Sequence, residues 1–536
     1  MSRIRVLIAV LLLVSVAWGP QPIHGDVSSP TIDRVEPNPV SDRNVGEYVV
    51  LSLDVPQNLA GWTLTDGRAT AALPNETVEG RIALSQQPRS AMLLTELPVY
   101  GWHGHLPLSA DGDTIELRSP DGAVVDTFSY ERTRNGEGWK RDEDGEIVRV
   151  RYTTDVVQPA PRPVDEGTAF VLPDEPQPVI QTLDTAEDRI WLAGYELTDP
   201  LVVERLIERH EAGVDVRVLI DGNPVGGQSD HEIVALDRLA MAGIPVDVLT
   251  GERRRFRFHH PKYAIADDTV VVMSENWKPA GTGGASSRGW GVAIDDPELA
   301  TDLAKVFRVD STARDRVQWS PTVDPGTALT VDPPPPLVVD HHPAEAVDVA
   351  TAELGVAPAN AKDRVLEEIE SAESRIDVQQ VRISDSEFPL LVALVEAARE
   401  GVSVRIHLDS TWYVAEDNAA LVAHLESLAA DEDLDLEIAK ADPADRYEKV
   451  HNKGVIVDGD TVILGSMNWN NVSMLDNREV ILILKGDEVG AYYTEVFEGD
   501  WAPPGQQTPI GFIAFVLSIW LGVGIFAYRR IGCDTD

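Results

Sequence analysis

His260-Pro261-Lys262-Tyr263-Ala264-Ile265-Ala266-Asp267 and His451-Asn452-Lys453-Gly454-Val455-Ile456-Val457-Asp458 are two copies of one pattern, His-x-Lys-x4-Asp, 191 residues apart. Each is followed by Ser-x-Asn-Trp, at Ser274–Trp277 and Ser466–Trp469, 14 and 15 residues after its histidine. One match is compatible with chance; two with the same follow-on are a duplication. The flanks repeat as well. Asp188-Arg189-Ile190-Trp191-Leu192 answers Ser374-Arg375-Ile376-Asp377-Val378 at an offset of 186. Gly213-Val214-Asp215-Val216-Arg217-Val218-Leu219-Ile220-Asp221 answers Gly401-Val402-Ser403-Val404-Arg405-Ile406-His407-Leu408-Asp409 at an offset of 188. The register drifts by only a few residues over half the chain, so whole domains are repeated.

Each half reads β-α-β-α-β-β. Arg189 to Leu197 and Val214 to Ile220 are strands; Leu201 to Glu211 and Glu232 to Ala242 are amphipathic helices, closed by Gly213 and Gly243 as C-caps. Strands alternating with short helices predict an α/β layer fold. Two such halves, 165–315 and 345–500, are expected to pack around a pseudo-two-fold axis.

On an extended chain, residues two apart point to the same face. His260 and Lys262 therefore share a face, as do His451 and Lys453. Ser274/Asn276 and Ser466/Asn468 can line the same face from the next strand. Each half offers an imidazole, an ammonium, a hydroxyl and an amide. That set suits phosphoryl transfer: one histidine attacks phosphorus, and the other protonates the leaving alcohol and then deprotonates water. Lysines and asparagines hold the non-bridging oxygens. No metal or other cofactor is called for.

These motifs resemble the phospholipase D superfamily, metal-independent phosphodiesterases, over about 165–500. The resemblance implies catalytic roles for His260, Lys262, Asn276, His451, Lys453 and Asn468. Asp267, Ser274, Asp458 and Ser466 complete the motifs; the aspartates are read as fixing a turn and backbone amides. The chain departs from the family at Met273, where glycine is usual, as at Gly465. The second motif is followed by Asn477-Arg478-Glu479, and Glu479 supplies the carboxylate that orients a histidine in the family. After the first motif, Ser287-Arg288-Gly289-Trp290 has no acid. In the family this carboxylate reaches the histidine of the opposite half. The resemblance thus implies that Glu479 orients His260, with His260 as nucleophile and His451 as acid/base. Arg253-Arg254-Arg255-Phe256-Arg257 runs into His260, and Arg255 and Arg257 are read as weak substrate contacts. His259 and the pair His341-His342 are read as solvent or loop residues, not metal ligands.

The first piece, about 27–156, alternates short apolar strands with Asp66-Gly67, Asp111-Gly112 and Asp121-Gly122 turns, which suggests an all-β sandwich. Glu36-Pro37-Asn38-Pro39, Gly61-Trp62-Thr63-Leu64-Thr65-Asp66 and Gly112-Asp113-Thr114-Ile115 resemble a lamin-tail-type domain, an immunoglobulin-like accessory module. Asn75-Glu76-Thr77 is a glycosylation sequon. A linker is expected at 316–344, centred on Pro333–Pro336.

Residues 1–25, with Arg3, Arg5 and the apolar run Val6 to Trp18, read as a signal peptide. Ile510 to Tyr528 holds 19 residues without a charge and reads as a transmembrane helix. Arg529-Arg530 follows, which predicts a cytoplasmic tail at 529–536 and extracellular catalytic domains. The formal net charge is -44, and nine of 45 basic residues are lysine. Such an acidic, lysine-poor surface resembles proteins of halophiles, in which salt screens self-repulsion. Cys533 is the one cysteine, so no intrachain disulfide forms.

The expected activity is that of a membrane-anchored extracellular phosphodiesterase acting on phospholipid, by hydrolysis or phosphatidyl transfer. A short tether holds the domains near the bilayer. A nuclease is the alternative, on the strength of the arginine run and the lamin-tail-like module. A non-catalytic surface-binding protein is the third reading, opposed by two intact motifs. No obligate protein partner is expected.

Overall fold

The computed structural model describes residues 29–501 apart from 40–45, 93, 96, 134–135, 143–144, 152–159, 252–253, 285, 314, 323–341 and 444–445. The expected signal peptide, apolar span 510–528 and tail lie outside the described residues, as does most of the expected linker. Among the described residues no helix is long and apolar enough to cross a membrane.

Thr31 to Arg151 forms a six-stranded and a four-stranded sheet around one core that includes Val49, Leu51, Leu64, Ile115 and Phe128. Strand Tyr48–Asn58 shows how the unit attaches. Val49 and Leu51 enter that core, whereas Tyr48 and Val50 enter the core of the duplicated body. Period-two alternation thus buries the strand on both faces.

The duplicated body repeats one sheet. In the first half the strands are β1 (Glu166–Leu172), β2 (Arg189–Gly194), β3 (Asp215–Asp221), β4 (Val246–Leu249), β5 (Tyr263–Ala266), β6 (Thr269–Met273) and β7 (Ser287–Asp295). In the second they are β8 (Thr351–Ala357), β9 (Arg375–Gln380), β10 (Ser403–Leu408), β11 (Leu436–Lys440), β12 (Lys453–Val457), β13 (Thr461–Gly465) and β14 (Glu479–Lys485). The orders are β4-β3-β2-β5-β6-β7-β1 and β11-β10-β9-β12-β13-β14-β8. In both, the first three strands named run parallel and every later pairing is antiparallel. Strand β2 ends at Gly194, short of the expected Leu197. A Cβ at Gly194 would lie 2.6 Å from Trp277 Cδ1, so the chain must turn where the indole crosses it.

The outer face of each sheet is covered by its own helices and has its own core. The inner faces share one core: Tyr263, Val272 and Val292 from the first half lie in the same cluster as Ile456, Leu464 and Leu482 from the second. Helices Pro297–Ser311 and Asp487–Trp501 also enter it.

Two charged clasps cross this interface. Asp310, near the end of one helix, binds Arg478 of the opposite half (2.8 Å to both Nε and Nη2) and Arg255 of its own (3.0 Å). Asp500 mirrors it, binding Arg288 of the opposite half (3.0 Å) and Arg446 of its own (3.1 Å). Arg478 lies over the ring of Phe256 at 4.3 Å and Arg288 over Tyr447 at 4.8 Å. Arg255 is therefore not a substrate contact. It is buried, and Asp315 and Asp310 hold its guanidinium.

Candidate active site

Each catalytic histidine candidate is seated by both halves. His260 N donates to Arg478 O and His451 N donates to Arg288 O, both at 2.9 Å. The residue before each is fixed by an aspartate at the end of β3 or β10. Asp221 accepts from His259 N (2.5 Å) and Asp409 from Val450 N (2.9 Å). His259, expected as a solvent or loop residue, is buried, with its ring against the Gly194 carbonyl. The parallel strand ends thus hold the motif loops, and the reciprocal backbone bonds bring the loops to one interface.

His260 Nδ1 lies 2.8 Å from Glu479 Oε2, and Glu479 Oε1 accepts from Asn477 Nδ2 at 2.9 Å. With Nδ1–H donated to the carboxylate, Nε2 keeps its lone pair. Burial lowers the His260 pKa against the opposing pull of Glu479, which favours the neutral, nucleophilic ring. His451 Nδ1 lies 3.3 Å from Glu275 Oε1. Burial, then Lys453 and Lys449, holds His451 well below its ordinary value.

Lys262 and Lys453 are buried, and each Nζ bonds the carbonyl of its own motif histidine. Burial brings both ammonium groups down to about 7, although Glu275 and Glu479 pull upward. At both amines desolvation therefore outweighs the pull of the surrounding carboxylates.

Ser274 and Ser466 are fully buried and tie adjacent strands, each accepting from a backbone N at 3.0 Å, Trp290 and Val480 respectively. Asn276 is half-buried. Its Nδ2 donates to Glu196 Oε2 at 3.3 Å, and its Oδ1 is buried without a partner. Asn468, its counterpart, is also half-buried. Asp267 and Asp458 stand at φ 54° and 53°, in the left-handed region. Their carboxylates accept the backbone N–H groups of Glu187, Asp188 and Arg189, and of Glu373, Ser374 and Arg375. Arg257 is exposed and covers Phe258 at 5.7 Å.

Several site residues escaped the sequence reading. Tyr195 sets its ring edge-on to His260 at 4.7 Å, with Lys262 Nζ 5.5 Å from its centroid. Glu196 binds Asn276 and Lys278. Glu275 is the larger omission, because the stretch after the first motif, Ser287 to Trp290, has no acid. The acid does not follow the first motif; it sits inside Ser274-Glu275-Asn276. Asp221 and Asp409 fell in stretches already aligned with each other, and that repetition was a usable signal.

A family profile described as "Cardiolipin synthase, PLD-like domain" matches residues 179–311 and 365–501. "Phospholipase D" of Rickettsia conorii is 28% identical over 138 residues, covering 26% of this chain and 62% of the relative. Human "Mitochondrial cardiolipin hydrolase" is 40% identical over 52 residues, covering 10% of this chain and 21% of the relative. The chain thus spans less than two thirds of the length of these curated relatives. The crystal structure of phosphatidylserine synthase from Haemophilus influenzae Rd KW20 shares the fold, with a TM-score of 0.50 at 14% identity, over 64% of this chain and 88% of that one. With both halves matched by the profile, the chain belongs to the cardiolipin synthase, phospholipase D-like family.

Proposed function

We propose that this protein is a metal-independent phosphodiesterase acting on phospholipids through a phosphohistidine. The observation that carries the reading is the convergence of His260 and His451 from opposite halves, each with a buried carboxylate at Nδ1. His260 Nε2 attacks phosphorus as the P–O bond to the leaving alcohol breaks, and His451 gives that alcohol its proton. Water, or an acceptor alcohol, then attacks phosphorus while His451 takes its proton; the P–N bond breaks and its electron pair returns to Nε2. Lys262, Lys453, Asn276 and Asn468 hold the equatorial oxygens.

Lipid is favoured over nucleic acid by the rim. Trp412 is 89% exposed and Tyr413 46% exposed, their rings edge to face at 5.8 Å. They follow Asp409, which fixes the residue before His451. An aromatic pair beside a phosphate site suits the interfacial layer of a bilayer. The basic run, which favoured nucleic acid, loses Arg255 to the interior. The proposal includes an extracellular, membrane-tethered protein from a salt-adapted source, supported by the charge pattern and the apolar run 510–528. The N-terminal unit is read as a lamin-tail-type accessory module on its sequence stretches.

The test compares phospholipid vesicles, single-stranded DNA and the soluble diester bis(p-nitrophenyl) phosphate, in high salt with chelator. Vesicle turnover should persist in chelator and exceed DNA cleavage. Trp412→Ala should lower vesicle turnover about tenfold, as loss of one interfacial aromatic would, and leave the soluble diester unaffected. DNA cleavage without lipid turnover sinks the lipid reading.

The lysines add a pH signature. Held near 7, both are protonated below that pH and neutral above it. An anionic diester favours the protonated forms, so KM should rise as pH climbs through and beyond about 7. Calorimetry near pH 8 in buffers of different ionisation enthalpy should show proton uptake when inorganic phosphate binds. A KM flat across this range contradicts the assigned role of the lysines.

A further inference from the structure

We propose that Glu275 is the positioning residue of His451, installed by exchanging the carboxylate across a strand pair. The inference rests on the active site just proposed and concerns a residue outside the two motifs. In the first half Met273 pairs with Gly291, and Ser274 N donates to Trp290 O at 2.9 Å, so Glu275 falls opposite Gly289. In the second half Gly465 pairs with Ile481, and Ser466 N donates to Val480 O at 2.9 Å, so Met467 falls opposite Glu479. The two cross-strand pairs are Glu–Gly and Met–Glu. Each carries one acid, on opposite members.

Packing shows why the exchange takes two positions. A Cβ at Gly289 would lie 2.5 Å from Glu275 Cγ and 2.8 Å from Glu275 Oε1. The Glu275 side chain therefore fills the space that a side chain at 289 would need. In the second half Met467 is buried in the outer core, and Glu479, from the other strand, reaches His260. Both arrangements bring a buried carboxylate to the imidazole of the opposite half.

The contact itself points the same way. Glu275 is buried and His451 half-buried, and Glu275 Oε1 and His451 Nδ1 are both buried atoms without a hydrogen-bond partner. They face each other at 3.3 Å, against 2.8 Å for His260 and Glu479. Accepting the Nδ1 proton leaves His451 Nε2 toward the leaving group, the nitrogen that must give and take protons there.

The test uses the full chain with 15N-labelled histidine. In the wild type the His451 ring should carry its proton on Nδ1. Glu275→Gln should redistribute it toward Nε2 and lower kcat on bis(p-nitrophenyl) phosphate or lipid roughly 10²–10⁴-fold, the range for a displaced acid/base. Glu275→Met should do the same. Glu275→Met/Gly289→Glu copies the second half and should recover at least about tenfold of the activity lost in Glu275→Met, which a merely structural role would not produce. Unchanged kcat in Glu275→Gln, or a His451 tautomer indifferent to Glu275, overturns the proposal. So does a folded double variant that recovers nothing. If the wild type turns over no diester but the tautomer follows Glu275, the positioning role stands and the proposed function falls.

Discussion

His451→Asn is expected to give a protein that reacts once. With bis(p-nitrophenyl) phosphate the first leaving group departs as a stable anion and needs no proton, so attack by His260 survives the loss of the acid. The second step does not: water must lose a proton to His451 as it attacks. One nitrophenolate per chain should appear in a burst, after which turnover stalls at least roughly 10⁴-fold below wild type. Intact mass should then show the phosphoryl adduct, labile in acid as a phosphohistidine is. His260→Asn should show neither burst nor adduct and fall at least as far. The proposed division of labour is supported by the shorter carboxylate contact of His260, 2.8 Å, which fixes its tautomer more firmly. A burst in His260→Asn with none in His451→Asn reverses the assignment.

What could be read in advance divides along a physical line. Features set by spacing along one strand were legible. His260 and Lys262, two apart before β5, and the matching pair at the start of β12 needed only the period of an extended chain. The paired halves needed only the constant offset. Features set by pairing between strands were not. Glu275 precedes Asn276 and carries no mark of its role until the register places it opposite Gly289. Its counterpart Met467 is apolar, so comparing the halves position by position hides it. Arg255 failed for the opposite reason: a basic run next to a histidine suggests a charged lip, but its partners Asp310 and Asp315 lie 55 and 60 residues away. One signal was missed. Arg255, Arg288 and Asp310 recur as Arg446, Arg478 and Asp500 at offsets of 190 or 191, matching the motif histidines. Residues that repeat with the site and are not in it belong to the joint between the halves.

That joint predicts the largest loss of stability. Asp310 is fully buried. Burial pushes its carboxyl up, but Arg478 and Arg255 together hold it below the ordinary value. Asp310→Ala leaves the Arg478 guanidinium with the Ala357 carbonyl and no carboxylate, and Arg255 with Asp315 and the backbone carbonyl of residue 310, both out of water. Removing one member of a buried charged cluster typically costs about 3–5 kcal/mol, because the survivors keep their desolvation without their countercharge. The unfolding midpoint in guanidinium should fall accordingly. Because the folded pKa is depressed, the contribution of Asp310 is present above the ordinary carboxylate range and is lost only as pH falls through the lowered value; the deficit should be constant from neutral pH upward. Exposed Glu432, paired with Arg399, is the control, and Glu432→Gln should leave the midpoint in place. Activity should suffer too: Arg478 O holds His260 N, and Glu479, the next residue, holds its ring. A loosened Arg478 shifts both contacts to His260, so kcat should drop even at denaturant concentrations where the variant stays folded. An Asp310→Ala protein less than about 1 kcal/mol weaker than wild type would mean this clasp adds nothing to what the shared apolar core and the Asp500 clasp already supply.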